Sequence, residues 1–311
     1  MIETIARVEL PVGETLEIKK NRLMPDNQAQ ADEQKRISIV TGIHGDELEG
    51  QYVCYLVEER IRKHPEYLKG IVDIYPAMNP LGVDSIIRGI PDFDLDMNRI
   101  FPGNKQGMMA EYMAAKIIED VDGSDVAIDI HASNAYLKEI PQIRINEKHE
   151  EWLVPIAKKL NMDYIWVHSA ATVLESTFAY TLNSMGVNTL VVEMGVGMRI
   201  TNEYCEQLTE GIFNLMKSMD MWEGPVGEIR EPIVSTDGFV SYLNAKVAGV
   251  FIPKVEHWKD VKKGDLIGLI VNPLTGEEPE AVISPSNGIV FTLREYPVVY
   301  AGSLLARILG R

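Results

Sequence analysis

The chain has 311 residues, enough for one large domain or two smaller ones whose hydrophobic cores need no disulfides. Its formal net charge of −16 opposes binding to nucleic acid or to an anionic membrane surface, so neither partner is expected. Only two cysteines occur, Cys54 and Cys205, which excludes a thiolate metal site and indicates two buried core residues in a reducing compartment.

The N-terminal part of the chain predicts strands and no targeting or membrane segment. MIETIARVEL has no basic start and no long apolar run, and no segment reaches the roughly 18 apolar residues that span a bilayer. RVEL and TLEIKK predict a short strand pair, and the polar stretch of residues 25–35 predicts a surface connection. We therefore expect a soluble, cytoplasmic protein.

Short apolar runs alternate with helical patterns between residue 37 and about residue 220. The strand-like runs are ISIVT, GIVDIYP, DVAIDI, PQIRIN, DYIWV and NTLVVE, and the helix-like segments are 47–62, 106–120, 148–160, 176–185 and 202–219. This alternation predicts an α/β fold with a mainly parallel mixed sheet and helices on both faces, in a first domain of residues 1–222. Beyond it, short strands between Gly, Pro and Asn turns predict a C-terminal all-β domain, residues 223–311, that acts as a lid or in oligomerisation.

The first candidate site follows the strand ISIVT, in TGIHGDELEG at residues 41–50. Asp46 and Glu49 match an N-capping box, which predicts His44 on the loop and Glu47 in the first helical turn. Hydrolytic zinc sites take three His or carboxylate ligands and keep a fourth position open. His131, at the end of DVAID, supplies a third ligand, with Asp129 as a supporting carboxylate.

Strand ends of an open α/β sheet meet at one edge, so these side chains are expected to converge there. A lone His-x-x-Glu pair is usually an ordinary feature of a helix start, and it gains weight here from the other motifs. The sequence therefore predicts one zinc ion per chain, held by His44, Glu47 and His131.

A further carboxylate, Glu193, follows the apolar run NTLVV and is predicted to reach the same edge. As a general base it would take a proton from the attacking water and pass it to the leaving nitrogen. The alternative is a structural ion pair, for example with Arg99.

The loop DLDMNRIFPG, residues 94–103, and the nearby Arg88 add candidate substrate contacts. Arg99, assisted by Asn98, is predicted to clamp a substrate carboxylate, and Arg88 to stabilise an oxyanion. Asp96 would orient one of the arginines. Loop salt bridges are the alternative for Arg88 and Asp96.

The remaining histidines and several tyrosines are weaker candidates. His168 ends the strand DYIWV and is either a substrate contact or an ordinary loop histidine. Three other histidines lie in polar, charged surroundings and are expected on the surface: His64, His149 and His257. A phenol near the reaction centre could come from any of three tyrosines: Tyr180, Tyr242 and Tyr300.

Taken together, these motifs resemble the succinylglutamate desuccinylase/aspartoacylase family, relatives of the zinc carboxypeptidases. The resemblance rests on GIHGDE, NPLG at 79–82, DMNRIFPG, the His after DI, and VEMG at 192–195. It covers roughly residues 37–200, and the β-rich tail also looks like the C-terminal domain of bacterial members.

The resemblance implies a zinc-carboxypeptidase-like fold and a role for each matched residue. It implies that His44, Glu47 and His131 bind zinc and that Glu193 is the catalytic glutamate. It also implies that Asn98 and Arg99 bind the substrate. It also implies action on N-acyl amino acids, with the tail domain narrowing access to the site. Arg144, in PQIRI, is a candidate second carboxylate contact, with a salt bridge as the alternative.

The sequence thus favours a zinc-dependent deacylase that hydrolyses the amide bond of a small, carboxylate-bearing N-acyl amino acid. An exopeptidase of the carboxypeptidase type is the first alternative and would need an open cleft. A non-catalytic binding protein is the second. Homo-oligomerisation stays open.

Overall fold

The computed structural model describes residues 1–25, 34–91, 93–169, 175–236 and 239–310. The strands, in chain order, are β1 (Ile2–Glu9), β2 (Thr15–Leu23), β3 (Arg36–Thr41), β4 (Ile71–Tyr75), β5 (Val126–Ala132), β6 (Leu137–Asn146), β7 (Tyr164–His168), β8 (Asn188–Gly195), β9 (Ile233–Thr236), β10 (Val240–Asn244), β11 (Gly249–Pro253), β12 (Asp260–Val261), β13 (Leu266–Val271), β14 (Glu280–Ile283), β15 (Gly288–Arg294), β16 (Val298–Val299) and β17 (Leu304–Gly310). The helices are α1 (Glu49–Lys63), α2 (Pro80–Ser85), α3 (Met109–Val121), α4 (Glu150–Ala157), α5 (Phe178–Met185) and α6 (Asn202–Ser218).

One large sheet carries the site. Its strand order is β1-β2-β4-β3-β5-β8-β6-β15-β17-β10, with β7 and β12 pairing beside β6 and β15, and β9 beside β7. The predicted strands and helices all form, within a few residues of their predicted bounds. The polar connection predicted at 25–35 lies largely outside the described residues.

The prediction of a mainly parallel sheet is wrong. Among the described residues, β3, β4, β5 and β8 pair in parallel, as do β6 with β7 and β7 with β9, but seven of the twelve strand pairings are antiparallel. Only residues 133–136 separate β5 from β6, which is too short for a crossover, so β6 runs opposite to its neighbour β8. The N-terminal hairpin joins the sheet antiparallel through β2, and the C-terminal strand β15 joins it antiparallel to β6.

Helices cover both faces of the central strands, as predicted. On β5, Val126, Ile128 and Ile130 pack in one buried cluster with residues of α1 and α6. Ala127 packs on the opposite face, in a second cluster with residues of α3 and α5. Side chains alternate along a strand, so Asp129 and His131 project from the same face as Ala127. The site therefore lies on the α5 side of the sheet.

The C-terminal segment contributes to two sheets. Strands β11, β13, β14 and β16 form a separate four-stranded antiparallel sheet. The others extend the large sheet, with β9 parallel to β7 and β15 antiparallel to β6. The division at residue 222 and the lid or oligomerisation role stay predictions.

Two smaller predictions concern buried cysteines and membrane segments. Cys54 on α1 and Cys205 on α6 are free and buried, as predicted. No helix within the described parts of the chain is both long and apolar enough to cross a membrane.

Candidate metal centre and active site

The loop between β3 and α1 presents His44 and Glu47 ahead of the helix. Helix α1 begins at Glu49, with Leu48 in the N-cap position and no side-chain cap, so the predicted capping box does not form. The carboxylate of Glu49 instead accepts a hydrogen bond of 2.8 Å from the backbone N–H of Thr201. Glu47 therefore lies on the loop rather than in the first helical turn.

Close backbone packing fixes this loop at Gly45. A Cβ placed on Gly45 would lie 1.9 Å from the carbonyl carbon of Gly82 and 2.4 Å from the amide nitrogen of Val83. Both contacts are to backbone, so no side-chain rotation relieves them. Glycine at this position lets the loop lie directly on the start of α2.

We expect Gly45→Ala to lower the free energy of unfolding by about 3 kcal/mol, because overpacking against backbone forces the loop to shift. The shift would also misplace His44, so divalent metal affinity should fall in the same variant. Thermal or urea unfolding and a metal titration measure the two effects. Gly227→Ala is the matched control, since its Cβ first meets the flexible carboxylate of Glu210, at 3.2 Å. Wild-type stability and metal affinity in Gly45→Ala would contradict the expectation.

His44, Glu47 and His131 form a compact, buried group of donor atoms. His44 Nδ1 lies 2.8 Å from Glu47 Oε1, and His131 Nδ1 lies 2.9 Å from Glu47 Oε2. The two Nδ1 atoms are 3.2 Å apart. All three residues are at most 4% exposed.

This donor set fits a divalent metal such as zinc. Donors bound at 2.0–2.1 Å around a tetrahedral ion are separated by roughly 3.3 Å, close to the spacings found here. The two imidazole nitrogens also face each other, an arrangement that a shared cation would stabilise. Each second ring nitrogen has a carboxylate nearby: Asp96 Oδ1 is 3.2 Å from His44 Nε2, and Asp129 Oδ2 is 3.0 Å from His131 Nε2. Such partners orient metal-binding imidazoles.

The surroundings shift the pKa values of all three groups. Burial acts to lower the pKa of both histidines, but the neighbouring carboxylates outweigh it: the pKa of His44 is raised, and that of His131 is raised well above its usual value. Burial acts to raise the pKa of Glu47, but the two imidazoles outweigh it and the pKa is lowered. Metal and protons therefore compete for these imidazoles.

We expect divalent metal affinity to increase with pH, because the histidines must lose their protons before they can bind the ion. Their pKa values are raised in the metal-free chain, so the gain should extend above the usual titration range of histidine, at about tenfold per pH unit for each proton released. Zinc titration calorimetry at pH 6 and 8, in buffers of different ionisation enthalpy, measures affinity and proton release. Equal affinity at both pH values, with no proton release, would contradict this.

Arg88 and Asp96 form ion pairs beside the donor group. Arg88 Nη1 donates to Glu47 Oε1 at 3.0 Å, and Arg88 Nη2 to Asp96 Oδ2 at 3.2 Å. Asp96 also accepts from the backbone N–H of Asn98 at 2.8 Å, which holds the short 3-10 turn Met97–Arg99. Arg88 and Asp96 therefore form the salt bridges that were the alternative to a functional role. Their functional roles stay predictions.

The turn places the predicted substrate pair in the cavity wall. Asn98 Oδ1 accepts from the backbone N–H of Phe178 at the start of α5, at 2.9 Å, and its Nδ2 group makes no hydrogen bond to other described residues. Arg99 Nη1 donates to the backbone carbonyl of Asn98 at 2.8 Å. The pair therefore offers several N–H donors at one place.

Glu193 lies beside His131 on the same sheet face. The two are register partners on the parallel strands β5 and β8. Glu193 is ion-paired with Arg144, not with Arg99, at 3.2 Å between Oε1 and Nη1. Burial raises the pKa of Glu193, and Arg144 opposes the shift without cancelling it. A raised pKa suits a carboxylate that takes up a proton during a reaction.

These side chains surround a cavity of about 450 Å³. All the predicted site residues line it except Glu47 and Asp96, which both contact His44. His168, Tyr180 and Tyr242 also line it, whereas Tyr300 is exposed and away from it. His64 is exposed as expected, and His257 is half-buried, donating from Nε2 to the carbonyl of Phe291.

The prediction that His149 lies on the surface is wrong. His149 is 8% exposed and lines the cavity, with its ring 6.0 Å from that of Tyr180 on α5. Burial and the neighbouring Lys148 lower its pKa. The charged residues next to His149 in this short turn are exposed, whereas the imidazole itself is buried.

Sequence reasoning missed three residues of this region: Glu139, Trp166 and Arg307. Trp166 and Arg307 line the cavity, and buried Glu139 binds Arg307 and Arg144. The available signal was a charged residue inside an otherwise apolar strand, as in LLARILG around Arg307.

Comparison with known proteins relates the chain to a described family and to a curated relative. Residues 33–219 match the family described as succinylglutamate desuccinylase/aspartoacylase catalytic domain. A curated relative, N-alpha-acetyl-L-2,4-diaminobutyric acid deacetylase of Halomonas elongata, is 24% identical over 277 residues, which cover 86% of this chain and 80% of the relative.

Two solved structures have a similar fold over almost the whole chain. Succinylglutamate desuccinylase/aspartoacylase from Rhodobacter sphaeroides has a TM-score of 0.82 at 22% identity, covering 99% of this chain and 95% of the other. The product-bound ectoine utilization protein EutE (DoeB) from Ruegeria pomeroyi has a TM-score of 0.81 at 18% identity, covering 98% and 93%. At sequence identities this low, the similarity shows a common fold and nothing further.

The family match covers more than half of the chain and includes the loops and strands that carry His44, Glu47, His131 and Glu193. The fold and the site geometry agree with it. The chain belongs to the succinylglutamate desuccinylase/aspartoacylase family.

Proposed function

We propose that this protein is a zinc-dependent deacylase that hydrolyses the amide bond of a small N-acyl amino acid or related compound. The observation that carries the proposal is the convergence of three buried donors, His44, Glu47 and His131, at a cavity that Glu193 also lines. A bound zinc ion would polarise the amide carbonyl and make water a better nucleophile near neutral pH. The names of the relatives support the reaction class.

Within this proposal Glu193 is the proton carrier. It takes a proton from the attacking water as the C–O bond forms, and gives it to the nitrogen as the C–N bond breaks, which leaves a carboxylate and an amine. Its burial on the same sheet face as His131 supports that role. The contact with Arg144 would have to loosen when Glu193 accepts the proton.

The cationic groups bind and stabilise negative charge. Four arginines line the cavity: Arg88, Arg99, Arg144 and Arg307. Arg99 and Asn98 fix a substrate carboxylate, and Arg88, next to Glu47, stabilises the charge that develops on the carbonyl oxygen. Asp96 and Asp129 orient His44 and His131.

The size of the cavity favours a small substrate over a peptide. About 450 Å³ accommodates a molecule of amino-acid size, and strands β10 and β17 contribute part of the wall through Tyr242 and Arg307. An exopeptidase would need an opening for the rest of the peptide chain.

A substrate screen tests the proposal. N-acetyl, N-succinyl and N-formyl amino acids, together with N-alpha-acetyl-2,4-diaminobutyrate, would be incubated with the zinc-loaded protein, with and without chelator, and released amine measured. Chelator-sensitive release from at least one compound is expected. Absence of zinc, nickel, cobalt and manganese from the purified protein, with no release from any compound, would favour a binding protein instead.

A further inference from the structure

A row of polar side chains continues from the active site into the C-terminal strands. Glu139 on β6 is the register partner of Thr292 on β15, and Thr292 is the partner of Arg307 on β17. On the other side of a register shift in β6, Gln142 is the partner of Glu193. The last strand of the chain therefore places Arg307 on the sheet face that carries Glu193.

Glu139 binds two arginines at one oxygen. Its Oε1 lies 3.2 Å from Arg144 Nη2 and accepts from Arg307 Nη1 at 2.7 Å. Its Oε2 accepts from the side chains of Gln142 and Thr292, and the residue is 1% exposed. Glu139 is thus fully engaged within the protein and holds both guanidinium groups at the cavity wall.

Trp166 supports the same two groups. The guanidinium carbons of Arg144 and Arg307 each lie 5.5 Å from the centre of its ring. Ring and carboxylate together fix the two side chains, which lowers the entropy that a ligand would have to remove.

Positive charge at this point of the cavity is balanced only while Glu193 stays paired with Arg144. Two guanidinium groups share one fully engaged carboxylate, and the second carboxylate in contact is Glu193, on Arg144 Nη1. The Nε atoms of Arg144 and Arg307 have no hydrogen-bond partner within the described residues. Half-buried guanidinium groups favour anionic partners, so Arg144 can bind one further anion when Glu193 no longer pairs with it.

We propose that Arg144 and Arg307, bridged by Glu139, form a carboxylate-binding subsite, so that the C-terminal strand β17 supplies a ligand-binding residue. Arg307 lies outside residues 33–219, the part matched by the family. That the carboxylate belongs to a substrate rests on the proposed function. A ligand carboxylate on Arg144 takes the place of Glu193 and frees that side chain for proton transfer.

Succinate, which is not hydrolysed, is the probe, and its binding to the zinc-loaded protein is measured by titration calorimetry. We expect Arg307→Met to weaken succinate binding at least tenfold, since a charge-assisted contact is lost. Succinamide, the neutral analogue, should bind weakly to wild type and variant alike. Arg199→Gln is the matched control, because Arg199 forms an exposed ion pair with Glu295, and neither residue lines the cavity.

A charge-balanced double variant separates loss of the subsite from misfolding of the single variant. Arg307→Met/Glu139→Gln removes one positive and one negative charge, so the buried cluster keeps its net charge, and it should show the same tenfold loss. Wild-type succinate affinity in a folded variant, or no succinate binding to the wild type, would overturn the subsite. The measurement needs no turnover: loss of succinate binding in a protein that hydrolyses no test substrate would support the subsite and count against the proposed function.

Discussion

Glu193→Gln is expected to lower kcat by about a thousandfold while zinc stays bound. Glutamine keeps the volume of the side chain, and its carbonyl oxygen can still accept from Arg144, but it cannot take a proton from water. General-base catalysis contributes about 10²- to 10⁴-fold in enzymes, and a base that also delivers the proton to the leaving nitrogen should lie in the upper part of that range.

Metal content by mass spectrometry and kcat on the substrate found in the screen provide the test. Glu295→Gln is the matched control, since Glu295 also pairs with an arginine, Arg199, but is exposed and does not line the cavity. Full activity in Glu193→Gln would remove Glu193 from the mechanism and leave the structural ion pair with Arg144 as its role.

Loss of the metal is the second large effect expected. His131→Ala should reduce bound zinc from one ion per chain to none, and activity should fall at least about a thousandfold, since Lewis-acid stabilisation is worth several kcal/mol. The remaining pair, His44 and Glu47, offers too few ligands for a tight site.

Chelation of the wild-type protein gives the same test without a mutation. Activity should disappear on dialysis against a chelator and return when zinc is added. His64→Ala is the control, because His64 is exposed and outside the donor group. Undiminished activity in a protein shown to be free of metal would contradict the proposed chemistry.

Local patterns predicted most of what lies within single segments. The strand and helix positions follow from hydrophobic periodicity, which a sheet face or a helix face imposes on neighbouring residues. Motifs at strand ends brought His44, Glu47 and His131 into one prediction, because parallel strands β3 and β5 end at the same edge. The structure places their donor atoms within 4.8 Å of one another.

Two predictions made from local sequence were wrong because contacts between distant segments decide the outcome. The capping box failed because the carboxylate of Glu49 is engaged by Thr201, which lies 152 residues further along the chain. The charged neighbours of His149 predict an exposed side chain, but its ring lies 6.0 Å from that of Tyr180 on α5, a helix that follows later in the chain.

By itself, the sequence determined the family and predicted the grouping of His44, Glu47 and His131, since chemistry at the ends of neighbouring strands leaves a pattern in short motifs. Only the tertiary structure decided the direction of β6 and the pairing of β6 with β15, because strand partners far apart in the chain are chosen by packing of the whole sheet. That pairing brings Arg307 to Glu139 and Arg144, and so joins the C-terminal strands to the cavity.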